Sequence, residues 1–451
     1  MTTRSSFPGG VHPAAHKALA AEAATEVLPT PDEIHVPLVQ HLGAPCKPGV
    51  EPRAEVALGD ELGNSDAFVS APIHASISGT VGKLTAVTLP NGCRVRAIPV
   101  KASDEQPLSG QDLFDDIFGG PWPTGRFEQY EPKQIVDACR AGGLVGLGGA
   151  AFPTHVKLVR NEKRPIDTLL INGCECEPYL TADDRLMVEA PAPVVTGALL
   201  AQRATGAESV KICIEDNKPK ALESLRRVAG AAGVEVLAVK TKYPQGGERQ
   251  LVAAVLKREV PIGGLPLDVG AVVVNVGTAA ALARAVLRGK PLTHRIVTVT
   301  GAGIRRPRNL LVPIGAAYRL LIDYCGGVTE DAARIVSGGP MMGFTLGNLD
   351  TPVTKGTSGV TVLTHDEVRK AKETACVRCG RCVDVCPVHL VPTKIALASK
   401  AGDLDLAQRY CIAGCIECGC CAYVCPASVP LVQLIRLGKV LLQKAASAKK
   451  N

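Results

Sequence analysis

Aromatic side chains are scarce in this chain: Phe, Tyr and Trp make up 3% of its 451 residues, with a single tryptophan. Its cores must be built mainly from Ala, Val, Leu and Ile. Long apolar runs are missing too. The most apolar stretch, 271–287, is interrupted by Asn275, Thr278 and Arg284, whereas a spanning helix needs about 20 apolar residues in a row. The first ten residues lack the apolar core of a signal peptide, so the reading is of a chain that neither enters nor crosses a membrane alone. Lopsided charge is absent as well. The formal charge of +7 is spread along the sequence, without the cationic stripe interleaved with aromatics that marks a nucleic-acid surface. Nucleic acid is therefore excluded as a partner, and the terminal Lys449 and Lys450 read as a solvated end.

Cysteine, by contrast, is abundant. Seventeen thiols without an export signal argue against a disulfide framework and for metal or cluster ligation, and ten of them lie between Cys376 and Cys425. Cys376, Cys379, Cys382 and Cys386 precede Pro387; Cys415, Cys418, Cys421 and Cys425 precede Pro426, repeating the pattern 39 residues later. Two-residue gaps let three sulfurs from one loop face one cuboidal cluster, and in two-cluster ferredoxins the fourth thiolate ligates the other cluster. The expected ligand sets are thus Cys376, Cys379, Cys382 and Cys425 for one [4Fe–4S] cluster, and Cys415, Cys418, Cys421 and Cys386 for the other. A zinc site explains neither the third cysteine nor the Cys-Pro ending. Cys411 and Cys420 fall outside the spacing and read as packed thiols.

The pattern predicts a multidomain α/β and α+β chain. Residues 1–102 read as a β-sandwich docking module, barrel-sandwich-like, with short strands punctuated by Gly and Pro. A Gly/Pro-rich acidic linker is expected at 103–132. From 133 to 290, strand-like runs at Thr168–Ile171, Val210–Ile214 and Ala271–Asn275 alternate with amphipathic stretches such as 217–230, giving an α/β domain whose strands are buried on both faces. A small α+β domain, β-grasp-like, is expected at 291–350, a second linker at 351–365, and a helical two-cluster ferredoxin-like domain with tail at 366–451.

Five glycines occupy eight positions in 142–149, followed by Phe152-Pro153-Thr154 and Lys157. Such a loop lets backbone N–H groups approach an anion, yet it matches neither common phosphate motif; on composition alone a flexible turn stays open. Gly146 to Lys157 resembles the flavin mononucleotide loop of the 51-kDa-type NADH-binding subunit of respiratory complex I. Asn172-Gly173-Cys174-Glu175-Cys176-Glu177-Pro178, Tyr243-Pro244-Gln245-Gly246-Gly247-Glu248 and Asn275-Val276-Gly277-Thr278 resemble three further segments of that family, in order. Over its whole length the chain resembles the C subunit of the Rnf complex, a membrane-bound, ion-translocating ferredoxin:NAD oxidoreductase. The resemblance rests on Phe7 to Pro13, His41 to Cys46, Lys242 to Gly246, Ser337 to Gly343 and Pro352 to Thr357.

That resemblance implies non-covalent FMN and NAD(H) as substrate. Gly146, Gly148, Gly149 and Lys157 would hold the flavin phosphate and ribityl chain; Asn172, Glu175 and Gly246 would border the flavin; Phe152 and Glu248 would face the nicotinamide nucleotide, with Asn275 and Thr278 completing the site. No side chain is assigned as catalytic, since hydride transfer belongs to the flavin. It also implies the membrane and peripheral subunits of the complex as partners, ferredoxin indirectly, and a peripheral place on the cytoplasmic face of the bacterial inner membrane. The chain departs from the complex I pattern where a family Arg is Leu147, an Asp is Cys174, and two Glu are Gly247 and Gly277. Two other readings stand beside this one: a soluble flavin and iron–sulfur reductase of the cobalamin reductase type, which lacks the N-terminal 130 residues, and a cluster-bearing adaptor without nucleotide binding. Cys174 and Cys176 have CxC spacing without further ligands nearby. His12, His41, His74 and His155 show no metal-site spacing.

Overall fold

The computed structural model describes residues 5–368 and 372–448; Lys449 and Lys450 lie outside the described residues. Near the N-terminus, Glu33–Pro37 pairs with the long strand Arg94–Ala102, which continues to Gly79–Val81 and Glu55–Val56. A three-stranded sheet of Lys47–Pro48, Glu61–Asn64 and Ile73–His74 packs against it. Alternation sets the faces: Ile34 and Val36 point inward and meet Leu62, Ile73, Ile98 and Val100 in one apolar cluster.

The central domain holds a four-stranded parallel sheet in the order Glu235–Val239, Ser209–Glu215, Thr168–Gly173, Ala271–Asn275. Its strands are near-continuous apolar runs because helices cover both faces. Pro191–Thr205 and Val276–Arg288 pack so closely that a Cβ on Gly197 would come within 1.7 Å of the Ala279 carbonyl oxygen, so only glycine fits there. This close crossing fixes the start of Val276–Arg288 at the carboxyl edge of the sheet, where ligands of open α/β sheets bind.

The third sheet has six strands, ordered Thr25–Val27, Arg308–Pro313, His294–Thr300, Gly359–Thr364, Ala332–Ser337, Phe344–Thr345, with the helix Tyr318–Tyr324 beside it. Three boundaries differ from expectation. Gly359–Thr364, expected as linker, is a wholly buried interior strand; its β-branched Val-Thr-Val core is hidden in sequence by flanking Gly, Ser and Thr. Thr25–Val27 leaves the first domain to pair in parallel with Arg308–Pro313. The expected linker 103–132 contains the helix Gly110–Phe118, whose Leu113 and Ile117 enter the central core with Trp122. Trp122 donates its indole N–H to the Phe118 carbonyl at 2.7 Å and lies under the Arg288 guanidinium, 3.7 Å from the ring centre. The acidic, Gly/Pro-rich composition masked that amphipathic turn.

The cysteine-rich end is helical and doubled. Arg381–Asp384 and Cys420–Tyr423 correspond across the 39-residue repeat, as do the starts of Pro392–Ala401 and Leu431–Ala448. Positive φ recurs in register at Arg378 and Glu417, Gly380 and Gly419, and His389 and Ser428, so each motif dictates the same local backbone. No helix among the described residues is long and apolar enough to cross a membrane.

Candidate functional site

The glycine-rich loop leaves the helix Pro132–Ala141 and is closed at its neck by the Gly146 N–H donating to the Phe152 carbonyl at 2.8 Å. Its crest, Gly148 to Ala150, is exposed. Gly148 passes the Asn275 side chain so closely that an added Cβ would sit 3.2 Å from it, while a Cβ on Gly149, at φ 141°, would meet nothing within 4 Å. A flat backbone shelf therefore faces open space beside the sheet edge. Phe152 is half-buried at the end of the shelf.

The residues expected around the flavin converge there. Asn172 and Asn275 are register partners at the ends of adjacent parallel strands. Asn172 donates to the Gly246 carbonyl at 2.8 Å and accepts from the Cys174 N–H at 3.1 Å. Asn275 caps Val276–Arg288, accepting from Gly277 and Thr278 N–H, and donates to Asp183 at 2.7 Å. Thr278 Oγ1 accepts from the Leu147 N–H at 2.9 Å, tying the loop to that helix. Lys157 and Glu248 form an ion pair. The Glu175 carboxylate accepts from the Asp183 and Asp184 N–H groups at 2.7 and 3.1 Å, at the start of Ala182–Glu189. Leu147 and Gly277, the positions of a family Arg and Glu, face each other; a Cβ on Gly277 would lie 3.5 Å from Leu147 Cδ1. The two departures sit in one contact, so neither leaves a charge unpaired.

Sequence reasoning missed the cations behind this edge, Lys17 half-buried and Lys218 and Lys355 fully so. Lys17 Nζ donates to the carbonyls of Glu175, Glu177 and Leu180 at 2.8, 3.0 and 2.5 Å, and Lys218 Nζ to the Cys174 carbonyl at 2.7 Å. Burial lowers the Lys17 ammonium; for Lys218 burial acts the same way, but the Glu215, Glu175 and Asp184 carboxylates outweigh it and hold it above its ordinary value. Lys355 is also buried, donating to the Pro72 and Gly143 carbonyls at 2.5 and 2.7 Å, and burial drops it to about 7. Arg295 donates to the Lys355 carbonyl. Lys17 and Lys355 bond backbone oxygens far away in sequence, which no spacing signals, and Lys218 adds the nearby Glu215 carboxylate at 3.2 Å to its distant Cys174 carbonyl.

The shelf fits a flavin nucleotide on a further observation. Gln245, next to Gly246, is fully buried, yet neither its Oε1 nor its Nε2 has a hydrogen-bond partner. An orphaned buried amide carries a penalty of roughly 1–3 kcal/mol that a bound polar group relieves.

The cluster thiols form a second assembly. Cys386 of the first motif lines one small pocket together with Cys415, Cys418 and Cys421 of the second. Cys382, Cys386, Cys421 and Cys425 all pack in the apolar core of this domain. Cys376 and Cys415 Sγ accept from the N–H two residues on, Arg378 and Glu417, each at 3.4 Å, and Cys386 Sγ from Leu390 at 3.3 Å. Apolar walls, inward thiols and N–H groups aimed at sulfur suit iron–sulfur ligation around the second motif, while Cys376 is half-buried and Cys379 exposed. Among the described residues no group of three His, Cys, Asp or Glu is placed to hold a single metal ion, Cys174 and Cys176 included. Cys420 is buried and Cys411 exposed.

The two assemblies touch. Tyr243, from the segment carrying Gly246, donates its hydroxyl to the Cys418 carbonyl at 2.7 Å, and Cys176 packs with Tyr243, Cys418 and Cys420 in one apolar cluster. Gln250 donates to the Pro387 carbonyl at 3.1 Å, and Glu177 accepts from the Met341 and Met342 N–H groups at 2.7 and 3.1 Å.

A flavin-type α/β domain joined through a buried contact to a two-cluster ferredoxin module defines an electron-transfer flavo-iron–sulfur protein. Family models agree on each part: the RnfC barrel sandwich hybrid domain matches 5–105, the Nuo51 FMN-binding domain 139–284, the SLBB domain 296–345, and the 4Fe-4S dicluster domain 369–426. The chain is 43% identical over 403 residues to the C subunit of a proton-translocating ferredoxin:NAD(+) oxidoreductase complex from Clostridium ljungdahlii, covering 89% of this chain and 86% of that one. It is 42% identical to the Na(+)-translocating counterpart from Acetobacterium woodii, covering 86% of each. It is 43% identical over 448 residues to the C subunit of an ion-translocating oxidoreductase complex from Rhodobacter capsulatus, covering 98% and 84%. Crystal structures of an NAD+-reducing [NiFe]-hydrogenase align over 64% and 71% of the chain, with 21% and 19% identity and TM-scores of 0.46 and 0.48, a likeness too slight to argue from. The chain belongs to the family of C subunits of ion-translocating ferredoxin:NAD(+) oxidoreductase complexes. The match to the N-terminal hybrid domain sets aside the shorter cobalamin-reductase-type reading.

Proposed function

We propose that this chain exchanges electrons between NAD(H) and a one-electron carrier within a membrane-bound, ion-translocating complex, lying peripherally on the cytoplasmic face of the inner membrane with the other subunits as its partners. Bound FMN supplies the conversion between a two-electron hydride donor and single-electron centres. The chain's residues do the rest. Gly146, Gly148 and Gly149 present backbone to the cofactor, with Lys157 as a cation at the end of the loop. Asn172, Gly246, Asn275 and Thr278 shape the sheet edge, Phe152 and Glu248 border the nucleotide side, and Glu175 holds the edge in place through Ala182–Glu189. Cys415, Cys418, Cys421 and Cys386 take the cluster nearer the flavin shelf; Cys376, Cys379, Cys382 and Cys425 take the outer one.

The contact from Tyr243 to Cys418 carries this reading. A segment that borders the flavin shelf also touches a cluster loop, and a desolvated junction keeps water from the path. The adaptor reading rests on the departures at Leu147, Cys174 and Gly247; Leu147 packs beside Gly277, so the change there is an apolar contact rather than an unpaired charge. NADH added anaerobically to cluster-loaded, flavin-loaded protein is expected to bleach the flavin absorbance near 450 nm, and an unchanged flavin spectrum would favour the adaptor.

A further inference from the structure

The segment Phe7-Pro8-Gly9-Gly10-Val11 is tied on both sides to the central α/β domain. Before it, the Lys240 N–H donates to the Ser5 carbonyl at 3.1 Å; at its start, Lys242 lies 4.7 Å from the centre of the Phe7 ring and donates to the Phe7 carbonyl at 3.0 Å. After it, the Tyr179 N–H donates to the Ala15 carbonyl at 2.8 Å, and Lys17 donates to the Glu175, Glu177 and Leu180 carbonyls. Between these anchors the chain reaches across to the cysteine-rich domain. The Gly10 N–H donates to the Val385 carbonyl at 2.8 Å, and a Cβ on Gly9 would lie 3.0 Å from the Cys386 carbonyl oxygen. Val11 and Tyr243 exchange both backbone hydrogen bonds, at 2.9 and 3.0 Å, and Tyr243 in turn holds the Cys418 carbonyl through its hydroxyl.

Cys386 and Cys418 come from different motifs, yet the segment holds the backbone at both: one directly, through Gly9 and Gly10, the other through Tyr243. Its composition suits that task. Gly9 and Gly10 have φ of 72° and 78°, and a Cβ on Gly10 would lie 2.5 Å from the Tyr243 carbonyl oxygen, so neither position accepts a side chain without displacing a neighbour. Phe7, Val11, Tyr243 and Cys420 are each 5% exposed or less, which keeps the seam dry. We propose that residues 7–11 are a clasp that positions the inner cluster against the flavin shelf, with Gly9 and Gly10 as positioning residues for electron transfer between the two. This rests on the reading that Cys386 joins Cys415, Cys418 and Cys421 on that cluster. One electron at a time leaves the reduced flavin for the iron centre; the clasp supplies no ligand and forms no bond, only a fixed separation and the exclusion of water.

The test compares Gly10→Ala with Gly92→Ala in the full, cluster-loaded, flavin-loaded chain. Gly92 has φ 82° and nothing within 4 Å of an added Cβ, so it reports backbone strain alone. Cys420 packs in the seam with Val11 and Tyr243 and falls outside the cluster spacing, so its alkylation by iodoacetamide, located by peptide mapping, reads the opening of the clasp. Freeze-quenched electron paramagnetic resonance after mixing with NADH reads the arrival of electrons at the clusters, beside the bleaching of the flavin. In G10A, Cys420 labelling is expected to rise about tenfold or more, the scale of an overpacked contact acting on a local opening, and cluster reduction to slow by a similar factor. Flavin bleaching, iron and flavin content should match the wild type, and G92A should match it throughout. Should G10A lose iron, Phe7→Ala, which removes the ring beside Lys242 and keeps both glycines, carries the same test. Cluster reduction at the wild-type rate in G10A and F7A overturns the clasp. So does a G92A that behaves as G10A does, or flavin bleaching that slows in step with the clusters. A wild type in which NADH leaves the flavin oxidised fails the functional reading instead, and the clasp then stands or falls on Cys420 labelling.

Discussion

Replacing Cys386 with alanine is expected to remove the iron group of the second motif, although Cys386 belongs to the first. Its thiol lines the cavity shared with Cys415, Cys418 and Cys421, and burial holds it protonated when no metal is present, so the site depends on iron to stabilise the thiolate. Two four-iron clusters give roughly eight irons per chain, and the variant should keep about half. Iodoacetamide with peptide mapping distinguishes the cases. In C386A the thiols of Cys415, Cys418 and Cys421 should become reactive, while Cys376, Cys379, Cys382 and Cys425 stay protected. The opposite pattern means that each motif binds its own cluster in line. Cys418 packs beside Tyr243 and Cys176, so on the proposed assignment the loss is severe: electrons should stop at the flavin while NADH still bleaches it.

The second large effect is expected at Lys355. Its ammonium nitrogen joins the Pro72 carbonyl of the first domain to the Gly143 carbonyl of the glycine-rich loop, and its own N–H donates to Gln40 at 3.0 Å. Lys355→Met fills the volume but leaves two buried carbonyls without a donor, a cost of roughly 1–3 kcal/mol each, and loosens the glycine-rich loop. The pH dependence isolates the group. Its folded value of about 7 lies below the ordinary 10.5, so between those limits the unfolded chain binds the extra proton and stability rises with pH, by roughly 1.4 kcal/mol per unit at most. Below about pH 7 both states are charged and the slope from this group vanishes. His41 and His74, lowered by burial to about 4 and about 3, act in a separate window, weakening the fold as pH falls below 6.5. Denaturant midpoints at pH 7, 8.5 and 10 should rise more steeply in the wild type than in K355M; parallel slopes would refute a buried, titrating lysine.

What the sequence could and could not reveal follows from how each feature is built. The cluster cysteines were legible because ligation demands fixed spacing, and the repeat doubles the signal. The sheet strands were legible as apolar runs, and the flavin shelf only because four ordered segments resemble a known family. The carboxylate of Glu175 also meets the amides of Asp183 and Asp184, a second use that the helix start eight residues downstream does not announce in sequence. The role of Lys17 left no trace and that of Lys355 showed only as part of a resembling segment, since a cation that bonds distant carbonyls has neither period nor motif. Gly359–Thr364 reads as linker because a six-residue strand among small polar residues resembles a loop until its neighbours in the sheet are known.

The cofactor content of the chain bears most directly on its role in electron transfer. Anaerobic purification followed by iron, sulfide and flavin quantitation should give about eight irons, about eight sulfides and one FMN per chain. Zinc in place of iron, or a protein with full clusters and no flavin, would contradict that role.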